Sequence, residues 1–208
     1  MNVEKLVYLF TEGNAQMKQL LGGKGANLSE MTGIGLPVPP GFIISTKACN
    51  QYYQKGDTLM EAVRAEVDEA LAKVEKMQGK KFGDAKNPLL ISVRSGAAVS
   101  MPGMMDTILN LGLNDQTVKG LAEVSGDERF ALDCYRRFIQ MFGDVVLKVD
   151  HAFFERVLER KKVETGVQDD TQLTAEDLKV LVEQYKGIIK SKSSKEFPQE
   201  PMDQLMES

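Results

Sequence analysis

The chain has 208 residues, 42% of them hydrophobic and 27% charged, an ordinary globular composition that excludes wholesale disorder, collagen-like repeats and a disulfide scaffold. Its formal net charge of −4 gives no overall basic field for nucleic acid or an anionic membrane, and its two cysteines, outside any CxxC pair, argue against a zinc site. The acid-bearing first residues argue against a signal peptide, and no stretch approaches the roughly 18 apolar residues of a membrane span, so reduced thiols and a cytoplasmic location are expected.

In chain order, VEKLVYLF reads as a short strand and FIIST (Phe42 to Thr46) as another, set off by the turn-rich GIGLPVPPG. From Thr58 to Gln78 the apolar residues Leu59, Val63, Val67, Leu71, Val74 and Met77 recur at three or four positions, which predicts one helical stripe ended by Gly79. LLISVRS then alternates, with Leu89, Ile91 and Val93 on one face and Leu90, Ser92 and Arg94 on the other, and TILNL (Thr107 to Leu111) follows as a second β-like run. Composition changes after Leu113. Of 18 glycines 13 precede that point, and 12 basic and 11 acidic residues there give way to 14 and 19 beyond it. An anion is therefore better sought in the first part.

Beyond Asn114 the pattern is helical. Val118, Leu121 and Val124 mark a short helix, and a longer one is expected from about Glu128 to Leu147. Asp127 and Asp150 are expected N-caps, and Thr174 to Asp177 resembles a capping box ahead of Leu178, Leu181, Val182 and Tyr185. SKSSKEFPQEPMDQ, polar and holding two prolines, reads as a linker leading out of this helical bundle.

Several residues could carry chemistry. LLGGKGANLSEM sets Gly22, Gly23 and Gly25 around Lys24, ahead of a helix expected to begin near Ala26. Glycines let backbone approach an anion, a helix start directs free N–H groups at it, and the ammonium adds a full charge. The motif is neither a Walker loop, since Lys18 and Gly25 stand where glycine and Ser or Thr are required, nor a Rossmann fingerprint, since Leu28 stands at the third glycine. The alternative is a simple glycine turn with a solvated lysine. Arg94, at a strand end before small residues, could hold phosphate bidentately, or could reach solvent or pair with a carboxylate. GAAVSMPGMMD reads either as a lid over a nucleotide or as a connector whose methionines fill the core. His151, the only histidine, is expected at a helix start on the surface. Tyr135-Arg136-Arg137 reads as a solvated helix face, or alternatively as a docking patch.

Taken together, LLGGKGANLSEM, GLPVPPGF, PLLISVRSGAAVSMPGMMDTILNLGLND, YRRFIQMFGDVV and FPQEP-DQL resemble the pyruvate, phosphate dikinase family, in order and across nearly the whole chain. The related phosphoenolpyruvate synthases share the opening motifs but are less similar at SGAAVSMPGMMDTILNLG. The resemblance implies an α+β fold: residues 1–113 as the first part of an ATP-grasp nucleotide-binding domain, 114–199 as an inserted helical subdomain and 200–208 as the start of a return segment. It further implies that Lys24 and Arg94 lie on the ATP phosphates, that Gly103 and Met105 belong to the loop closing over the nucleotide, and that Asp106 and Thr107 adjoin it. The family converts ATP, phosphate and pyruvate into AMP, diphosphate and phosphoenolpyruvate through a carrier histidine. By resemblance that histidine domain, the Mg²⁺ ligands and the pyruvate site lie outside this chain, the full-length enzyme is a homo-oligomer, and these residues alone are inactive. The competing expectation is a non-catalytic interaction module, docking through Arg136 and Arg137.

Overall fold

The computed structural model of the chain describes residues 5–55, 57–95 and 107–208, with residues 52–55 and 57–60 described by their backbone. The fold is mixed helix and small sheets, an α+β arrangement. The described residues form two compact units, one of residues up to Gly79 with Ser95, the other of residues 80–94 and 107–208.

In the first unit, β1 (Val7–Leu9) pairs antiparallel with β2 (Phe42–Ile44), Tyr8 opposite Ile43. The strand expected over VEKLVYLF is short because Phe10–Glu12 turns into a 3₁₀ helix. Helices α1 (Lys18–Gly33), α2 (Thr46–Lys55) and α3 (Asp57–Gln78) complete the unit. On α3 the stripe is real: Val63, Val67, Leu71 and Val74 are buried. Met77 is not, being exposed beside the last helical residue, Gln78, and the Gly79 that follows has a φ of 63°, in the left-handed region. Glu66 fixes α3 to the sheet edge by accepting hydrogen bonds from the Leu6 and Val7 N–H groups, each at 2.8 Å.

In the second unit, β3 (Lys81–Phe82) pairs parallel with β4 (Pro88–Leu89), and β5 (Ile91–Arg94) pairs antiparallel with β6 (Thr107–Leu111). Helices α4 (Thr117–Ser125), α5 (Glu128–Val145), α6 (His151–Thr165), α7 (Ala175–Ser193) and α8 (Pro201–Glu207) follow. The expected caps form: Asp127 accepts from Phe130 N–H at 2.9 Å and Asp150 from Ala152 N–H at 2.9 Å. Thr174 and Asp177 exchange hydrogen bonds as a capping box. The apolar face of α5, including Leu132, Phe138 and Phe142, packs against α7, where Leu178, Leu181 and Ile189 are fully buried. α5 also packs on β6, so Leu111 and Leu113 are buried in the same core as the helices. Compaction thus divides after Gly79, although the composition shifts after Leu113.

Two surface expectations are corrected. Tyr135 and Arg136 are buried rather than solvated, and Arg136 is enclosed by Asp133, Gln140 and Asp170; Arg137 alone of the three is exposed, and it pairs with Asp133 at 3.0 Å. Arg136 is thus enclosed rather than presented at the surface, as the docking reading of this pair expects. The expected linker is packed as well: α7 continues to Ser193, and the Phe197 ring lies edge-on to Tyr135, Phe138 and Phe142 at 6.0, 5.5 and 5.5 Å between centroids. Polar letters and two prolines concealed one deeply inserted aromatic ring.

Candidate functional site

The local geometry around Lys24 follows from its glycines. Gly22 has φ 70° and ψ 168°, backbone that glycine adopts readily and other residues do not. It interrupts α1, separating residues 18–21 from residues 23–33. The expected helix near Ala26 therefore begins earlier, and Lys24 lies in the first turn of the restarted segment rather than in a loop before it. The first N–H groups of such a segment have no partner within it and form the positive end of its dipole. Gly25 serves packing instead: it is buried, and a Cβ there would lie 3.1 Å from Ile43 Cδ1 on β2. The lysine itself is exposed, its Nζ donating to the Ser95 carbonyl at 3.2 Å.

The first turn of α1 is held from outside. Thr46, at the start of α2, donates its hydroxyl to the Gln19 carbonyl at 2.5 Å, with the Leu20 carbonyl at 3.3 Å. Glu30, within the restarted segment, accepts from Ala15 N–H at 2.9 Å. Neither residue stood out in the sequence. The signal was the Gly22-Gly23 pair inside a helical pattern, which marks a break whose loose carbonyls need a donor.

In the second unit, Arg94, the last residue of β5, stands opposite Thr107, the first of β6. Two of the residues singled out in the sequence are thereby brought together. Alternation places the exposed Arg94 away from the half-buried Ile91 and Val93, as read from LLISVRS. A bulge in the ladder, with Asn110 at φ 62°, shifts the register between Ile91 and Val93 and sets the 94–107 pair. The Arg94 side chain makes no ion pair with any described residue. Gly103, Met105 and Asp106, with the loop reading made for GAAVSMPGMMD, lie outside the described residues.

Other polar groups are already engaged. A cleft of about 280 Å³ beside β1 is lined by Lys5, Glu12, Glu66 and Lys73 among others, but Glu66 holds the strand edge and Glu12 pairs with Lys5 at 2.6 Å. For Glu12 burial pushes the carboxyl up, yet the hydrogen bonds from Lys5 and the Leu9 N–H outweigh it and leave it below the usual range. His151 opens α6 on the surface, with Asp144 and Glu155 at 3.3 and 3.2 Å. Among the described residues no group of three or more His, Cys, Asp or Glu could hold a metal ion. No helix among them is long and apolar enough to cross a membrane.

The Lys24 turn falls within the one segment that a family model matches. Residues 18–79, which begin with α1 and end with α3 and its terminating Gly79, match the family model described as the pyruvate phosphate dikinase AMP/ATP-binding domain. Over 97% of its length the chain is 55% identical to pyruvate, phosphate dikinase of Clostridium symbiosum, 57% identical to the chloroplastic pyruvate, phosphate dikinase 1 of Arabidopsis thaliana and 53% identical to the Rhizobium meliloti enzyme. The chain is thus a relative of the pyruvate, phosphate dikinases, which are phosphotransferases, and carries sequence of their nucleotide-binding part. It spans 21–23% of the length of these relatives.

Proposed function

We propose that this chain supplies phosphate contacts of an ATP site in a dikinase-type phosphotransferase, with residues 1–113 forming the first part of an ATP-grasp domain and 114–199 a helical insertion. The observation that carries the reading is the break at Gly22, which puts an exposed lysine in the first turn of a restarted helix, inside the segment that matches a nucleotide-binding domain. Phosphoryl transfer needs little covalent chemistry from protein; it needs positioned positive charge on the phosphate oxygens. Lys24 provides a point charge, the N–H groups provide fixed partial charge, and Arg94 offers a guanidinium fork suited to two oxygens at once. Gly103, Met105, Asp106 and Thr107 belong in this reading to the loop covering the nucleotide. ATP would arrive as its Mg²⁺ complex. The full reaction, from ATP, pyruvate and phosphate to AMP, phosphoenolpyruvate and diphosphate, would pass through a histidine carrier that these residues do not include.

The test is a titration of ATP into the ¹⁵N-labelled chain. Because these residues make only part of the nucleotide's contacts, the expected dissociation constant is on the order of 1 mM, about −4 kcal/mol. The amides of residues 22–25 should move with ATP and move less with AMP, which lacks the β and γ phosphates. Unmoved amides at about tenfold that concentration would overturn the proposal.

A further inference from the structure

We infer that Thr46 is a positioning residue for the Lys24 turn, an inference that rests on the proposed phosphate contact. An α-helical carbonyl accepts from the N–H four residues ahead, so Gln19 and Leu20 would be served by Gly23 and Lys24 in an unbroken helix. The φ and ψ of Gly22 rotate the following peptide away and end that pairing. Gln19, Leu20 and Leu21 are the carbonyls whose helical pairing would cross Gly22, and the Thr46 hydroxyl meets two of them, Gln19 at 2.5 Å and Leu20 at 3.3 Å. Thr46 therefore takes the place of the missing helical donor.

The threonine is itself well placed. Ser45, fully buried, begins α2 by accepting from Ala48 N–H at 3.3 Å, which fixes the first residue of that helix against α1. Thr46 is only half-buried, so its methyl adds little to the core. On the other side of the break, the Glu30 carboxylate ties residues 23–33 back to Ala15. Between them the two side chains hold both halves of a broken helix. Without the hydroxyl, the unbroken conformer regains its own hydrogen bonds, and residue 24 turns about the helix axis, carrying the ammonium away from its present direction.

The experiment compares the ¹⁵N-labelled wild-type chain with Thr46→Ala, Thr46→Val, Thr46→Ser and Lys24→Met, each by ATP titration and thermal unfolding. Thr46→Ala and Thr46→Val should weaken ATP about tenfold and displace the Gly22 and Gly23 resonances even without nucleotide, while the melting temperature stays within a few degrees of wild type. Thr46→Ser, which restores the hydroxyl, should recover both readouts. If Lys24→Met leaves the titration unchanged, or if ATP does not shift the wild-type turn, the phosphate-contact reading fails and this inference with it. If Lys24→Met weakens ATP and neither hydroxyl-lacking variant does, the positioning role alone fails. It fails equally if affinity falls only in step with melting temperature, with Gly22 undisturbed, or if Thr46→Ser behaves like Thr46→Ala.

Discussion

Arg136 and Asp133, one turn apart on α5, meet in a fork in which Nε and Nη2 of the guanidinium both donate to Asp133 Oδ1, at 3.1 and 2.8 Å. The arginine side chain is 3% exposed, and Asp170 and Gln140 close the remaining sides. Burial alone would push the guanidinium pKa down, but the hydrogen bond and charge of Asp133 reverse that and raise it. Arg136→Met should therefore cost on the order of 3 kcal/mol, since carboxylates placed to answer a charge lose it. Arg137→Ala, at a side chain 57% exposed, should stay within about 0.5 kcal/mol. Urea denaturation of both variants checks the contrast, and an equal effect would contradict it.

Gly120 on α4 lies so close to the Ala85 turn that a Cβ there would stand 2.2 Å from the Ala85 carbonyl oxygen. That neighbour is backbone and cannot rotate aside. Gly120→Ala should destabilise by about 1–3 kcal/mol, although alanine is the better helix former by about 1 kcal/mol. A variant as stable as wild type would show that the helix can shift away from the turn.

The Gln204 amide ties the segment 198–208 to the residues that follow β6. Gln204 is fully buried, accepts from Gly112 N–H at 3.0 Å, and donates to the carbonyls of Leu113 and Pro198 at 2.9 and 2.8 Å. Gln204→Leu preserves bulk and strands those three backbone groups, at a cost of about 1–3 kcal/mol for each group left unsatisfied. Hydrogen exchange should locate the loss, with the Gly112 amide becoming the most affected.

These elements show how far the sequence could be read. Periodicity sufficed where one face of one helix carries the signal, as on α3 and α5, and caps were legible because Asp127, Asp150 and Thr174 act within three residues of themselves. Residues whose partners lie far along the chain were misread. Arg136 looked like a surface charge because its second carboxylate, Asp170, is 34 positions away, and Phe197 looked like linker because its cage is on α5. At the candidate site, Lys24 and the strand-end position of Arg94 were visible in motifs. The bend at Gly22 was marked only by its glycine pair, since φ is a property of conformation, and Thr46 becomes meaningful only once that bend interrupts the helical pairing of the carbonyls it meets.

Acid should loosen the second unit through two carboxylates that accept backbone N–H groups, Asp177 in the α7 capping box and Asp84 in the turn between β3 and β4. Asp177 is held below the usual carboxylate range by the Thr174 hydroxyl and then its N–H, and Asp84 by the N–H groups of Asn87 and Lys86. Because both pKa values are depressed in the folded state, their stabilisation is complete above the unfolded values near about 4 and is lost as pH falls through the folded ones. Melting temperature should fall from about pH 5 downward. Asp177→Asn and Asp84→Asn should each flatten that fall. Unchanged slopes would place the acid sensitivity elsewhere.

The most direct measurement of the central claim uses a dikinase in which these 208 residues replace the corresponding part of the Clostridium symbiosum enzyme, assayed one half-reaction at a time. Lys24→Met and Arg94→Ala should each slow the ATP-dependent half-reaction by about 2–4 kcal/mol at the barrier, roughly thirtyfold to a thousandfold. The half-reaction that does not use ATP should proceed at the rate of the unmutated chimera. An ATP half-reaction untouched by Lys24→Met would contradict the account.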